Sequence, residues 1–166
     1  MFGAVVSGRP YDLDGVEEMV GLFINTLPVR VKIAGQRNLR SLLQTLQSQQ
    51  LDIGNYQYTS LSDIHRWSEL PAHVPLFDSI IRFQNFPLDP SLRNDHSSST
   101  DADVLSVDWW HYPLCIVVGT GLRLSLSASY KRSQFDTARV KELLEQFRDL
   151  LKDMAEALLV QQSATE

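Results

Sequence analysis

Alternating apolar and polar residues predict the β-strands of this chain. The most regular stretch covers residues 122–130, where every second residue is apolar, as in a strand with one buried face. A second alternating stretch covers residues 27–33. It includes Pro28, which has no N–H to donate, so this strand should lie at a sheet edge or begin there. Short apolar runs predict four more strands, at residues 2–6, 78–86, 104–110 and 114–118. In the second of these runs, Ile80, Ile81 and Phe83 are expected to face inward.

Apolar residues spaced three and four positions apart predict four helices. Three of them cover residues 13–23, residues 39–54 after the N-cap Asn38, and residues 60–67. In the first, Asp14 is the expected N-cap. Along one side of the third lie Leu61, Ile64 and Trp67. The longest helix runs from Thr137 to about Val160 behind the N-cap Asp136. Its expected core stripe consists of Val140, Leu143, Leu144, Phe147, Leu150, Leu151, Met154 and Leu158.

The order of these elements indicates an α/β fold of two layers, an α+β arrangement in which a mixed sheet packs on helices. The turn Gly119-Thr120-Gly121 should join the last two strands into a hairpin. Residues 89–103 show no period and are predicted to form an exposed polar loop. We expect one domain over residues 1–160 and a polar tail or linker over residues 161–166. Because Met1 stands directly before the first strand, we expect a piece of a longer protein.

The composition is that of a soluble globular domain, with 43% hydrophobic and 21% charged residues. The net charge of −5 and the scattered basic residues favour no nucleic-acid partner. Cys115 is the single cysteine, which excludes a disulfide within the chain, and its apolar neighbours predict an inert buried thiol. No apolar run approaches the roughly 20 residues of a membrane span, and a signal-peptide pattern is missing. We therefore expect a cytoplasmic protein.

Residue types that carry catalysis are present but form no complete active site. The histidines are His65, His73, His96 and His111. None is paired at metal-ligand spacing, and the chain has no nucleophile elbow, phosphate loop or dinucleotide glycine fingerprint. We expect His65 at the surface and His96 in solvent, while His111 is the best candidate for a base, although a structural role is favoured. Trp109, Trp110 and Tyr112 could form a binding wall, or pack as ordinary aromatic residues.

One segment resembles a known signature. Residues 20–30, Val-Gly-Leu-Phe-Ile-Asn-Thr-Leu-Pro-Val-Arg, match the pattern of nonribosomal peptide synthetase condensation domains: aliphatic, Gly, any residue, Phe, aliphatic, Asn-Thr, and a short run closing on Arg. Every fixed position agrees. Four more stretches resemble the family in the same order: Phe2 through Ser7-Gly8-Arg9-Pro10, Phe77-Asp78 through Phe83-Gln84-Asn85-Phe86-Pro87, Tyr112-Pro113-Leu114, and Tyr130 through Phe135 with the terminal helix. The resemblance covers residues 2–160.

The resemblance implies a fold like that of chloramphenicol acetyltransferase, with two similar α/β lobes in a V and a tunnel between them. The family's catalytic motif, His-His-x-x-x-Asp-Gly, belongs to the first lobe, and this chain has no His-His pair. The chain therefore resembles the second, carboxy-terminal lobe, which we expect to be inactive alone and to hold no catalytic residue. In the complete domain, the amine of an aminoacyl thioester attacks an acyl or peptidyl thioester and forms an amide bond.

The resemblance also implies sites and partners. Arg9 matches a second-lobe arginine that forms a structural salt bridge with the acid of the histidine motif, and in this chain it would lack that partner. Other positions expected in the tunnel or at the lobe interface are Ser7, Gly8, Asn25, Thr26, Arg30, Trp109, Trp110, His111 and Tyr112. For Asn25, Thr26 and Arg30 a structural role is favoured over contact with substrate.

We expect no metal and no directly bound cofactor, because phosphopantetheine is carried by the carrier proteins. The expected partners are the first lobe, peptidyl or acyl carrier proteins and an adenylation domain, without nucleic acid or membrane.

Two alternative functions stay open. A non-catalytic module that docks a carrier protein or oligomerises is favoured if Trp109 and Trp110 are exposed. A trimeric acyltransferase of the same fold would need a base in this chain, and His111 is the candidate. The run Asn25-Thr26-Leu27-Pro28 favours condensation over epimerisation, whereas heterocyclisation stays open because its distinguishing motif belongs to the first lobe.

Overall fold

A computed structural model describes residues 1–9, 13–33, 38–84, 111–120 and 123–163. Within these ranges the elements in chain order are β1 (Phe2–Val6), β2 (Asn25–Val29), α1 (Leu39–Gly54), α2 (Leu61–Trp67), β3 (Ser79–Gln84), β4 (Leu114–Gly119), β5 (Ser125–Tyr130) and α3 (Thr137–Ser163). The strand predicted at residues 104–110 and the polar loop predicted at residues 89–103 lie outside the described residues.

The strands form one mixed sheet in the order β2-β1-β3-β4-β5. β1 is parallel to β3 and β3 to β4, whereas the outer pairs β1–β2 and β4–β5 are antiparallel. The predicted hairpin pairing and the edge position of Pro28 on β2 are both confirmed. Two ends of the sheet follow from this topology. At the carboxyl end β1, β3 and β4 finish and β2 begins; at the amino end β1, β3 and β4 begin and β2 finishes.

One face of the sheet carries a cluster of Phe77, Ile80 and Cys115. Ile80 and Cys115 are paired across β3 and β4 and are fully buried, which confirms the buried thiol. The ring of Phe77 stacks on that of Tyr112, with centroids 5.2 Å apart. Partly buried apolar residues packed on the cluster are Val5, Leu61, Leu76, Tyr112 and Val117.

The other face of the sheet is apolar as well. Successive strand residues point to opposite faces, so the buried residues Leu27, Val29, Leu114 and Val118 lie across the sheet from Cys115. α3 packs against β5 and touches α1, and its Val140 is buried. The predicted α/β class, a mixed sheet packed on helices, is confirmed.

Side-chain caps fix where the helices start. The Asn38 side chain accepts a hydrogen bond from the Arg40 N–H, the Ser60 hydroxyl from the Asp63 N–H, and an Asp136 carboxylate oxygen from the Ala138 N–H, at 2.9, 3.1 and 3.2 Å. These bonds satisfy amides that have no partner inside the helix. The caps predicted at Asn38 and Asp136 are confirmed, and α3 continues to Ser163, three residues past its predicted end.

The helix predicted over residues 13–23 is wrong. The chain there makes turns instead, in which the N–H groups of Val16, Glu18 and Met19 bond to carbonyls three residues back. Gly15 has a φ of +74°, in the left-handed region, and a right-handed helix cannot pass through that conformation. The apolar spacing was therefore misleading: Val16 is buried, but Val20 is fully exposed.

Several apolar residues expected to be buried are exposed. Phe83 is 60% exposed because it lies past the stretch of β3 that pairs with β1. Leu150 is 55% exposed and Leu143 39%, so the buried stripe of α3 is narrower than the periodicity predicts. Trp67, at the end of α2, is 72% exposed. The strand predicted at residues 27–33 begins two residues earlier, at Asn25, and ends at Val29.

The contact of β1 with the Phe77 ring generates a test by substitution. A Cβ at Gly3 would lie 2.4 Å from Phe77 Cε2 and 2.8 Å from Thr26 Cγ2. We expect Gly3→Ala to lower the free energy of unfolding by about 1–3 kcal/mol, because the ring must leave its packing position. Urea denaturation followed by circular dichroism measures the change.

Gly54→Ala is the matched control. Gly54 is the last residue of α1, and the nearest atom to its added Cβ would be 3.7 Å away, an ordinary contact. Alanine there should leave stability unchanged or raise it by about 0.5–1 kcal/mol. Equal losses for the two variants would contradict the close packing at Gly3.

Candidate functional site

The register of β1 and β2 gathers half of the predicted site residues at one place. Val6 lies opposite Asn25, so the Ser7-Gly8-Arg9 segment that follows β1 is next to the start of β2. Ser7, Gly8, Arg9, Asn25 and Thr26 all lie at or near the carboxyl end of the sheet. Ser7 is exposed, Gly8 is buried and Arg9 is half-buried.

Arg9 is held by groups of its own lobe. Its Nη1 donates to the Val16 carbonyl and its Nη2 to the Met19 carbonyl at 2.9 Å. The guanidinium carbon lies 4.2 Å from the centroid of the Phe23 ring, a cation–π distance. Among the described residues no carboxylate pairs with Arg9. The expected idle arginine is therefore occupied, although by carbonyls rather than by an acid.

Gly8 completes this contact from the main chain. It has a φ of +62°, and a Cβ there would lie 1.9 Å from the Phe23 carbonyl oxygen. Only glycine permits both the left-handed conformation and this close approach. Phe23 is thus touched by Gly8 on its backbone and by Arg9 on its ring. The sequence had shown Phe23 only as a fixed position of the family signature and as part of a predicted helix stripe.

Asn25 ties β2 to the connection between α1 and α2. Its Nδ2 donates to the carbonyls of Gln57 and Thr59 at 2.8 and 2.7 Å, and its Oδ1 accepts from the Thr26 N–H at 2.8 Å. The amide's oxygen and both of its N–H groups are accounted for. This arrangement can fix the loop before α2, and it leaves no free N–H on Asn25 for a substrate.

The remaining described candidates lie at the amino end of the sheet. Arg30 follows β2, while His111 and Tyr112 precede β4. A five-residue strand at about 3.3 Å per residue separates the two groups by roughly 15 Å. The structure therefore divides the predicted site residues into two groups instead of one cluster.

The contacts of the second group are with its own lobe. Arg30 is exposed, and its carbonyl accepts from Gln49 Nε2 at 3.1 Å. His111 is exposed, and its carbonyl accepts from Lys131 Nζ at 2.9 Å. Burial against the core raises the pKa of the Tyr112 hydroxyl above its usual value, so Tyr112 stays protonated at neutral pH.

The other candidates add no catalytic group to the described part of the chain. Trp109 and Trp110, like His96, lie outside the described residues. His65, expected at the surface, is half-buried, with Nε2 2.7 Å from the Val74 carbonyl oxygen. Within residues 1–9, 13–33, 38–84, 111–120 and 123–163, no group of three metal-binding side chains occurs. Nor does any helix there combine the length and apolarity needed to cross a membrane.

Comparison with known proteins places the chain among large synthases. A family model described as a condensation domain matches residues 1–166. The chain is 46% identical over 154 residues to one of the linear gramicidin synthase proteins of Brevibacillus parabrevis, and 36% identical over 156 residues to surfactin synthase subunit 3 of Bacillus subtilis (strain 168). These alignments cover 93% and 92% of this chain, but only 2% and 12% of the relatives' length.

The fold has a counterpart among solved structures. The crystal structure of holo T3CT aligns with a TM-score of 0.57 at 22% identity, covering 76% of this chain and 30% of the other. At this identity the likeness concerns the fold alone.

The Asn25 bonds generate a second test. Asn25→Asp keeps the oxygen that accepts from Thr26 but places a second oxygen against two carbonyls. We expect the free energy of unfolding to fall by about 1–3 kcal/mol at pH 7, since two N–H donors are lost and like partial charges meet. Thermal or urea denaturation measures the effect.

The control makes the same chemical change where the structure favours it. Asn38 caps α1 through its side-chain oxygen, and Asp is an equally good N-cap that the helix dipole also favours. Asn38→Asp should change stability by less than about 0.5 kcal/mol. A neutral Asn25→Asp variant would mean that the two bonds of Asn25 Nδ2 are not made in solution.

Proposed function

The chain belongs to the condensation-domain family, and on that premise we propose that it is the second lobe of a condensation domain that forms amide bonds in nonribosomal peptide synthesis. The proposal depends chiefly on one observation: the family matches along the whole chain, yet the chain has no pair of adjacent histidines. The lobe would therefore need a first lobe, bearing His-His-x-x-x-Asp-Gly, before it could take part in catalysis.

In the proposed reaction the amine of one carrier-bound aminoacyl group attacks the thioester carbonyl of another carrier-bound acyl or peptidyl group. A C–N bond forms, the C–S bond breaks, and the amine proton passes to the released thiol. The first-lobe histidine orients or deprotonates the amine. Because both reactants are tethered, positioning supplies much of the rate. The phosphopantetheine arms belong to the carrier proteins, and this chain binds no cofactor of its own.

The described residues suit a supporting part in that reaction. Arg9, Gly8, Asn25 and Tyr112 each contact groups of their own lobe. None of these contacts pairs a base with a nucleophile, the arrangement by which a complete catalytic site is recognised. We propose that this lobe forms one wall of the tunnel and part of each carrier surface. The further partners are the first lobe, peptidyl or acyl carrier proteins, and an adenylation domain of the same synthetase.

Reconstitution tests the proposal. The chain alone, supplied with two loaded carrier proteins, should form no amide product above the uncatalysed background. The same chain joined to a first lobe with the histidine motif should form product, detected by mass spectrometry of the downstream carrier. Substituting the second histidine of that motif should reduce the rate at least about a hundredfold, the usual contribution of an acid–base group.

Two outcomes oppose this assignment. Robust product from the chain alone would show a complete active site within it, and His111→Ala would then test the trimeric acyltransferase alternative. A folded two-lobe protein without activity on any carrier pair tested would oppose the condensation function itself. Circular dichroism of each protein separates inactivity from misfolding. The docking or oligomerisation alternative depends on the exposure of Trp109 and Trp110, which lie outside the described residues, so it stays a prediction.

A further inference from the structure

We propose that Arg9 is a positioning residue for a loop of its own lobe: it clamps residues 13–24 in a non-helical shape that projects Val20 and Leu22 outward. A role for Arg9 in pairing with the first lobe would leave this loop unaffected. The clamp is a separate role, and it acts through carbonyls and one aromatic ring. For its activity readout the inference rests on the proposed function; for its structural readout it does not.

Three contacts of the guanidinium define the clamp. One terminal nitrogen donates to the Val16 carbonyl, the other donates to the Met19 carbonyl at 2.9 Å, and the planar group lies over the Phe23 ring at 4.2 Å. The first carbonyl precedes the second by three residues, and the ring follows by four more. A single side chain therefore holds the loop at three points along its length.

The main chain closes the clamp from the other side. Gly8, in the left-handed conformation, lies directly against the Phe23 carbonyl. Asn25 then anchors the first residue of β2 through its bonds to Gln57 and Thr59. Both ends of the loop segment 16–25 are thus fixed to the folded lobe.

The loop needs this restraint because its shape is costly by itself. Val20 and Leu22 are 103% and 102% exposed, and Ile24 is 68% exposed. The loop's own bonds are three, each between residues three apart, in the turns of residues 13–19. Without the clamp, exposed apolar side chains at this spacing would gain by turning toward the lobe surface.

The exposed residues lie where the proposed function places a neighbour. They precede β2 at the carboxyl end of the sheet, beside Arg9. The solved relative is over three times as long as the part that this chain matches. We therefore assign Val20 and Leu22 a contact with the first lobe, positioned by Arg9.

The geometry distinguishes arginine from lysine. A guanidinium presents several N–H donors in one plane, so it can bridge two carbonyls while stacking on a ring. A lysine has a single nitrogen and cannot do all three. Charge alone, by contrast, would let lysine replace arginine in a salt bridge with an acid.

Hydrogen exchange on the chain tests the clamp directly. Arg9→Lys and Phe23→Leu should each speed exchange at the amides of Val16, Glu18 and Met19 by about tenfold or more, the loss expected from one cation–π contact or charged hydrogen bond. Amides within α1 should keep their rates. Phe23→Tyr retains the ring and should restore protection. Arg139→Lys, on the exposed side of α3, is the matched control and should change nothing.

An activity arm asks whether the loop matters for the domain. In the two-lobe protein, Arg9→Lys and Phe23→Leu should lower amide formation by similar factors, and the double variant should lose little more, because both remove one clamp. Combining Arg9→Lys with a substitution of the acid in the first-lobe histidine motif should instead show additive losses. Amide formation unaffected by Phe23→Leu would overturn the functional part of the proposal.

Each remaining outcome decides between the ideas. Unchanged exchange at the three loop amides in both variants would overturn the clamp, whatever the activity. Wild-type two-lobe protein that forms no amide would count against the proposed function, while the exchange result would still judge the clamp. If Arg9→Lys does not fold, Phe23→Leu and its Phe23→Tyr rescue carry the test. If neither Arg9→Lys nor Phe23→Leu folds, the cluster is a general folding element, and a positioning role for Arg9 is overturned.

Discussion

The antiparallel pairing of β1 with β2 is the constraint on which the rest of the carboxyl end of the sheet depends. It places Val6 opposite Asn25 and so makes neighbours of two motifs that are far apart in sequence. Once the pairing is set, Gly8 must accept a left-handed conformation against the Phe23 carbonyl, and Arg9 comes within reach of the carbonyls of the same loop. Because strand register is specified by a period of two, a slip of one residue would put Leu27 and Val29 on the wrong face and separate these contacts.

The sequence predicts those parts of the fold in which one physical rule dominates. β1, α1 and α2 follow from apolar periodicity and capping side chains, and their bounds agree closely with the structure. The helix expected over residues 13–23 fails because two rules compete there: apolar spacing favours a helix, and Gly15 in the left-handed region prevents it. A glycine's φ depends on the tertiary surroundings, so sequence alone does not reveal it. Exposed Phe83 and Leu150 have the same origin, since periodicity identifies an apolar face but not how much of it a neighbour covers.

The candidate site is harder to predict than the fold because it depends on contacts between side chains and backbone carbonyls. Family motifs pointed to Arg9 and Asn25, but they carry no information on which carbonyls these residues bind. Distances of 2.7 to 2.9 Å from their nitrogens to carbonyl oxygens now give both residues definite partners. Periodicity also gave no reason to separate Arg30, His111 and Tyr112 from the others, whereas the direction of each strand does so at once.

Division of a condensation domain into two lobes has a physical consequence for the lobe that lacks the histidines. A reaction between two tethered groups gains rate from geometry, and errors of about 1 Å in position can cost a hundredfold. A lobe with no reacting residue can therefore still set the rate, provided that its interface is rigid. Rigidity here comes from satisfied polar groups such as those of Asn25 and from the close contact of Gly8 with Phe23, because such contacts have few alternative arrangements. Motif residues that touch only their own lobe are what such a role requires.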